Sequence, residues 1–85
     1  MKLDIIHYPQ RNTFEANING LIPYVEYTLS DNTFDIIHTI VPKQLEGQGI
    51  AGQIVSHAYH YAKEKGYQLK GSCSYAEVWL QRHPM

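Results

Sequence analysis

Apolar and polar residues alternate through the first half of the chain, and the period then changes. Thr13 to Ile18 is short and alternating, and Leu21 to Leu29 is rich in Val, Ile, Tyr and Thr, so both read as strands. Asn19-Gly20 between them is a hairpin signal, because both residues tolerate the positive φ of a type I′ turn. Pro23, near the start of the second run, points to an edge position or a bulge. Ser30-Asp31-Asn32 is a second turn. Thr33 to Val41 is the next strand, and its adjacent Ile36 and Ile37 predict burial on both faces, as in a central strand. Residues 2–8 read as one more short strand.

Pro42 ends the third strand, and residues 43–47 carry no strand pattern. From Gly49 the period is helical. Ile50, Ile54, Ala58 and Ala62 recur at i, i+4, with Ala51 and Val55 widening the stripe. Gln53, Ser56, His57, His60, Lys63 and Glu64 lie mostly on the other side. Gly66 is a helix stop, since glycine accepts the left-handed conformation after the last turn. Tyr67 to Cys73 reads as a strand. Ser74 is placed to cap a last helix, Tyr75 to Arg82, which would pack through Val78, Trp79 and Leu80 and is closed by Pro84. The predicted fold is α/β: a mixed, mainly antiparallel sheet with one long helix and a short C-terminal one. The strand–helix–strand unit from Thr33 to Cys73 has the length of a right-handed parallel crossover.

With 85 residues the chain is expected to form a single domain, residues 1–85, around one thin core. Apolar residues at 44% and charged residues at 18% argue against disorder. A net charge of −1 gives no footprint for general nucleic-acid binding. No apolar run reaches the roughly 20 residues of a membrane span, so no membrane is expected as a partner. The early Asp4 and short apolar stretch do not make a signal peptide. Cys73 is the one cysteine, which leaves no internal disulfide and fits a cytoplasmic setting.

Glu46-Gly47-Gln48-Gly49-Ile50-Ala51 falls between a strand and a helix. Two glycines one residue apart permit a sharp turn and keep side chains away from a ligand. First-turn amides have no internal partner and carry the positive end of the helix dipole, so a pyrophosphate fits there without a cationic side chain. The ordinary reading of such a Gly-x-Gly is a flexible turn. Neither the dinucleotide fingerprint nor the P-loop is satisfied, which leaves a pyrophosphate ligand of another type.

The segments His38-Thr39-Ile40-Val41-Pro42, Leu45-Glu46-Gly47-Gln48-Gly49-Ile50-Ala51, Cys73-Ser74-Tyr75 and Arg82-His83-Pro84, in this order, resemble the small single-domain branch of the Gcn5-related N-acetyltransferases. The resemblance covers about residues 20–84. Gly49 and Ala51 match the small positions of that family's Gln/Arg-x-x-Gly-x-Gly/Ala motif, whereas Glu46 stands where Gln or Arg is usual. The resemblance implies acetyl-coenzyme A as cosubstrate, held by Glu46, Gly47, Gln48, Gly49, Ile50 and Ala51. It also implies two splayed strands, roughly Ile36–Val41 and Leu69–Cys73, with Ile40 and Val41 touching pantetheine. The implied activity is acetyl transfer to an amine or protein acceptor that the sequence does not identify. A module that binds coenzyme A or acyl-coenzyme A without turnover is the alternative.

Three residues are candidates for chemistry. Cys73 ends a strand, where a helix start or a histidine would activate its thiolate as an acyl acceptor; otherwise it is a small buried apolar residue. His38 is a candidate general base, expected to approach Cys73 because their strands are neighbours. Tyr75 is a candidate proton donor to the departing thiolate, with packing beneath the last helix as the competing reading. His57 and His60 have metal-pair spacing but no third ligand in the sequence, since His7 and His83 are far away along the chain; a solvated face is expected. Tyr24 and Tyr27 could line an acceptor cleft.

Overall fold

A computed structural model describes residues 2–85. Five strands form one sheet in chain order: β1 (Ile6–Tyr8), β2 (Thr13–Glu15), β3 (Tyr24–Ser30), β4 (Thr33–Ile40) and β5 (Gln68–Gly71). The first four pair antiparallel, and β5 joins β4 in parallel. The parallel connection runs through α1 (Ile50–Glu64), and α2 (Ser74–Arg82) follows β5.

Local chemistry accounts for the turns. Asn19 and Gly20 both have positive φ, and Ile18 and Leu21 exchange two backbone hydrogen bonds across them, as a type I′ turn requires. This pairing is an isolated bridge, because β2 ends at Glu15 and β3 begins only at Tyr24. Asp31 and Asn32, also at positive φ, close the β3–β4 hairpin. Pro23 is not on an edge strand: it is buried just before the first paired residue of β3, which lies inside the sheet. The irregularity lies further along, on β4, between the partners of Glu26 and Tyr27. Glu26 pairs with His38 but Tyr27 pairs with Ile36, so Ile37 is an extra, bulged residue.

The core covers one face of the sheet. Phe14, Val25, Tyr27, Phe34 and Ile36 meet Ile54, Val55, Ala58, Tyr59 and Ala62 of α1, with Ala76 and Trp79 of α2. Phe34 lies against Tyr27 and edge-on to Tyr59, and Tyr59 stacks on Trp79. Cutting a wholly buried ring such as Phe34 to Ala would cost about 3–5 kcal/mol. Tyr27, expected near an acceptor cleft, is instead a core residue whose hydroxyl meets Nε2 of His7 at 2.6 Å. The segment after Pro42 is a single 3-10 turn, Lys43–Leu45, anchored by buried Leu45.

Candidate functional site

Helix α1 begins in a turn built by glycine. Gly47 and Gly49 have φ of 82° and 76°, a region where L side chains are strained, and Gly49 is the N-cap. An added Cβ at either would meet nothing within 4 Å, so both faces of the turn are open. Among the described residues, the amides of 47–52 have no backbone partner; Gln53 is the first to find one, the carbonyl of Gly49. A cluster of unpaired amides at a helix start suits a phosphate group. Glu46 is exposed and extended at the entrance.

The second feature is a gap in the sheet. Pairing of β4 with β5 stops at Ile36 and Gly71, after which only the amide of Cys73 still bonds back, to the carbonyl of Ile36 at 3.0 Å. Beyond that point the β5 side of Ile37–Ile40 has no strand neighbour. Alternate residues there present free N–H and C=O groups, the feature by which a strand edge binds peptide-like chains. The gap runs into the glycine turn as one cleft of about 440 Å³, whose walls include Thr39, Ile40, Val41, Glu46, Gly47, Gly49, Ile50, Ala51 and Tyr75. Of the residues expected to hold coenzyme A, all but Gln48 line this cleft.

Cys73 sits at the closed end of the gap. It is the N-cap of α2, which moves the helix start one residue earlier than the capping pattern suggested, and Ser74 is the first helical residue. Its Sγ lies 3.5 Å from Thr39 Oγ1. Burial alone pushes the thiol up. The Thr39 hydroxyl, the amides of Ala76 and Tyr75, and the Thr39 amide together outweigh it, holding the thiol below its ordinary value. The sulfur makes no formal capping bond to α2, so the helix acts through nearby amides and not a single strong contact.

The histidine expected beside this thiol is elsewhere. The Ile37 bulge shifts the alternation, so that Thr39 shares the inner side with its partner Val25, while His38 projects with Glu26 from the opposite face. His38 is exposed there, and Thr39 takes its anticipated place near Cys73. Tyr75 also departs from packing beneath the last helix. It is 44% exposed, and its hydroxyl lies over the first turn of α1, 3.3 Å from where a Cβ on Gly52 would stand. Gly52 therefore gives Tyr75 room to bridge the two helix starts. Sequence reasoning missed Thr39, although its place inside His-Thr-x-Val-Pro was on view.

The other histidines make local contacts. Nδ1 of His60 meets the Ser56 carbonyl at 2.7 Å, and His83 stacks on Trp79. His7 and His57, distant in sequence, both pack on the Phe14 ring. Among the described residues, no group of three or more His, Cys, Asp or Glu side chains is arranged to hold a metal. Among the described residues, no helix is long and apolar enough to cross a membrane.

The sequence model for GCN5-related N-acetyltransferases matches residues 13–85. The chain belongs to the GCN5-related N-acetyltransferase family. An NMR structure of a Staphylococcus aureus protein, described provisionally as a GCN5-like N-acetyltransferase, superposes with a TM-score of 0.74 at 28% identity. The match covers 94% of this chain and 79% of that one. A ribosomal-protein-alanine N-acetyltransferase from Brucella melitensis biovar Abortus 2308 shares the fold, with a TM-score of 0.54 at 13% identity. That alignment takes in 82% of this chain and 60% of the Brucella one.

Proposed function

We propose that the protein transfers an acetyl group from acetyl-coenzyme A to an amine. The observation that carries this reading is the continuity of the cleft, from unpaired strand edge to unpaired helix amides. Coenzyme A has the matching sequence of groups: a thioester, an amide-bearing pantetheine arm and a pyrophosphate. The amides of 47–52 would take the pyrophosphate, and Ile40 and Val41 would flank pantetheine. The thioester then falls near Thr39 and Cys73. Tyr75, over the first turn of α1 and on the cleft wall, would contact the coenzyme and is the candidate proton donor to its departing thiolate.

In the transfer, the amine nitrogen bonds to the thioester carbonyl carbon, the carbon–sulfur bond breaks, and coenzyme A leaves as thiolate. The amine loses one proton. His38, exposed on the strand that borders the gap, is the assigned acceptor for an amine arriving over the outer face. A second reading is favoured by the lowered Cys73 thiol: the acetyl group passes first to Sγ, releasing coenzyme A, and then to the amine.

The test is release of free coenzyme A against a panel of amines and lysine peptides. Direct transfer predicts that Cys73→Ala keeps most activity, while His38→Ala slows it about 10²-fold. An acetyl-cysteine intermediate predicts that Cys73→Ala loses transfer yet still binds coenzyme A, and that denatured protein carries a ~42 Da adduct. Coenzyme binding with no release against any amine would replace the enzyme by a coenzyme A or acyl-coenzyme A binding module.

A further inference from the structure

Where the β4–β5 ladder ends, a side chain takes over from the backbone. Asp35 lies one residue before the last paired position of β4. Its two carboxylate oxygens are both engaged by Ser72: Oδ1 accepts from the Ser72 amide at 2.8 Å, and Oδ2 accepts from Ser72 Oγ at 2.6 Å. Both bonds have a charged acceptor, which makes them the stronger kind. The next amide, that of Cys73, bonds to the carbonyl of Ile36. The two residues that lead from β5 into α2 are thus tied to two consecutive residues of β4.

Other contacts make this turn a fixed one. The Tyr59 hydroxyl donates to the carbonyl of Lys70 at 2.6 Å, holding the strand just ahead of the turn from the core side. Gly71 lies so close to α2 that a Cβ would stand 2.6 Å from the amide nitrogen of Glu77. Strand end and helix start are therefore packed backbone to backbone. Within that frame, among the described residues, Asp35 is the one acidic side chain that bonds to the turn. It sits at the apex of the gap, and the sulfur of Cys73 projects on the inner side to Thr39, three residues beyond Ile36.

We propose that Asp35 is a positioning residue: its carboxylate fixes the Ser72 turn and thereby holds Cys73 Sγ against Thr39 and the first amides of α2. It touches neither the thiol nor the cleft, and acts through Ser72. The placement of the thiol stands without any assumption about catalysis; the consequence for acetyl transfer rests on the function proposed above. Tyr59 is the neighbouring titratable group: burial chiefly opposes its ionisation, and Asp35 and Cys73 add to that.

Cys73 is the only cysteine, so alkylation reads it alone. The rate of reaction with iodoacetamide should be followed against pH for wild type, Asp35→Asn, Asp35→Ala and Ser72→Ala. Asp35→Asn and Asp35→Ala both remove the carboxylate's charge, which by itself favours the thiolate, but only Asp35→Ala also removes every acceptor for Ser72. The alkylation midpoint of Asp35→Ala is therefore expected above that of Asp35→Asn, since the amides and Thr39 would no longer be held on the sulfur. Ser72→Ala, which keeps the amide bond, should give a smaller shift, and combining it with Asp35→Ala should add little, because both act on one contact. One shared midpoint for Asp35→Ala and Asp35→Asn, with Ser72→Ala unshifted from wild type, would overturn the proposal. If Asp35→Ala fails to fold, the midpoint in Asp35→Asn and Ser72→Ala decides alone, and an unshifted thiol in those two overturns it equally. Shifted midpoints without any acetyl transfer in wild type would leave the positioning role standing and remove the enzyme.

Discussion

Gly49 separates the conformational need for glycine from the steric need for an empty site. Its φ of 76° and ψ of 14° lie in the left-handed region, which costs an ordinary L residue roughly 1–2 kcal/mol and a β-branched one more. Nothing stands within 4 Å of its added Cβ, so the protein itself raises no clash. Gly49→Val should therefore lose stability mainly through backbone strain. In a domain of this size that is a fall of roughly 4–8 °C in Tm per kcal/mol. Gly49→Asn should fold nearly as well as wild type, because asparagine tolerates this region, as Asn12, Asn19 and Asn32 do here. Yet both variants put a side chain into the turn where the backbone must meet pyrophosphate. Thermal melts with and without coenzyme A report both effects. Ligand at a hundred times its Kd adds about 2.7 kcal/mol, a rise on the order of 10 °C for wild type. The expected result is no rise for either variant, with Gly49→Asn starting near the wild-type Tm. A full rise for Gly49→Asn would show that the turn is not the phosphate site.

Other outcomes follow from the same geometry. Glu46→Gln should leave coenzyme A affinity unchanged or improve it a few-fold in calorimetry, since a carboxylate at the cleft entrance repels phosphate and the amides do the binding. Gly71→Ala should destabilise by about 1–3 kcal/mol in denaturant melts, because the new Cβ meets the α2 backbone, which cannot yield as a side chain would. Burial, with a smaller contribution from His57, lowers the pKa of His7, so the unfolded chain binds a proton more readily there than the folded one. The neutral ring's contribution is complete above the unfolded value near 6.5 and is lost as pH falls through the lowered folded value. The fall in Tm between pH 7.5 and pH 5 should therefore shrink in His7→Phe, which keeps the stack on Phe14.

The local signals were all short-range, and they held where short-range chemistry decides. Asn19-Gly20 and Asp31-Asn32 turn because those residues accept positive φ, and Gly66 ends α1 for the same reason. The helix stripe from Ile50 to Ala62 faces the core, although Tyr59, absent from that stripe, is buried as deeply. Glycines flanking Gln48 predicted a sharp turn ahead of the helix, and Gly47 and Gly49 both take positive φ there. The side on which each strand residue projects was not legible in the same way. Alternation from Phe34 and Ile36 carries on only if no residue is inserted, and the Ile37 bulge is an event of pairing with β3. One extra residue exchanged His38 for Thr39 at the thiol, because a strand's side-chain period is two. The meeting of Asp35 with Ser72, and of His7 with His57 across Phe14, likewise spans long stretches of chain. Sequence fixes what each residue is able to do locally; only the packed sheet determines which of them stand together.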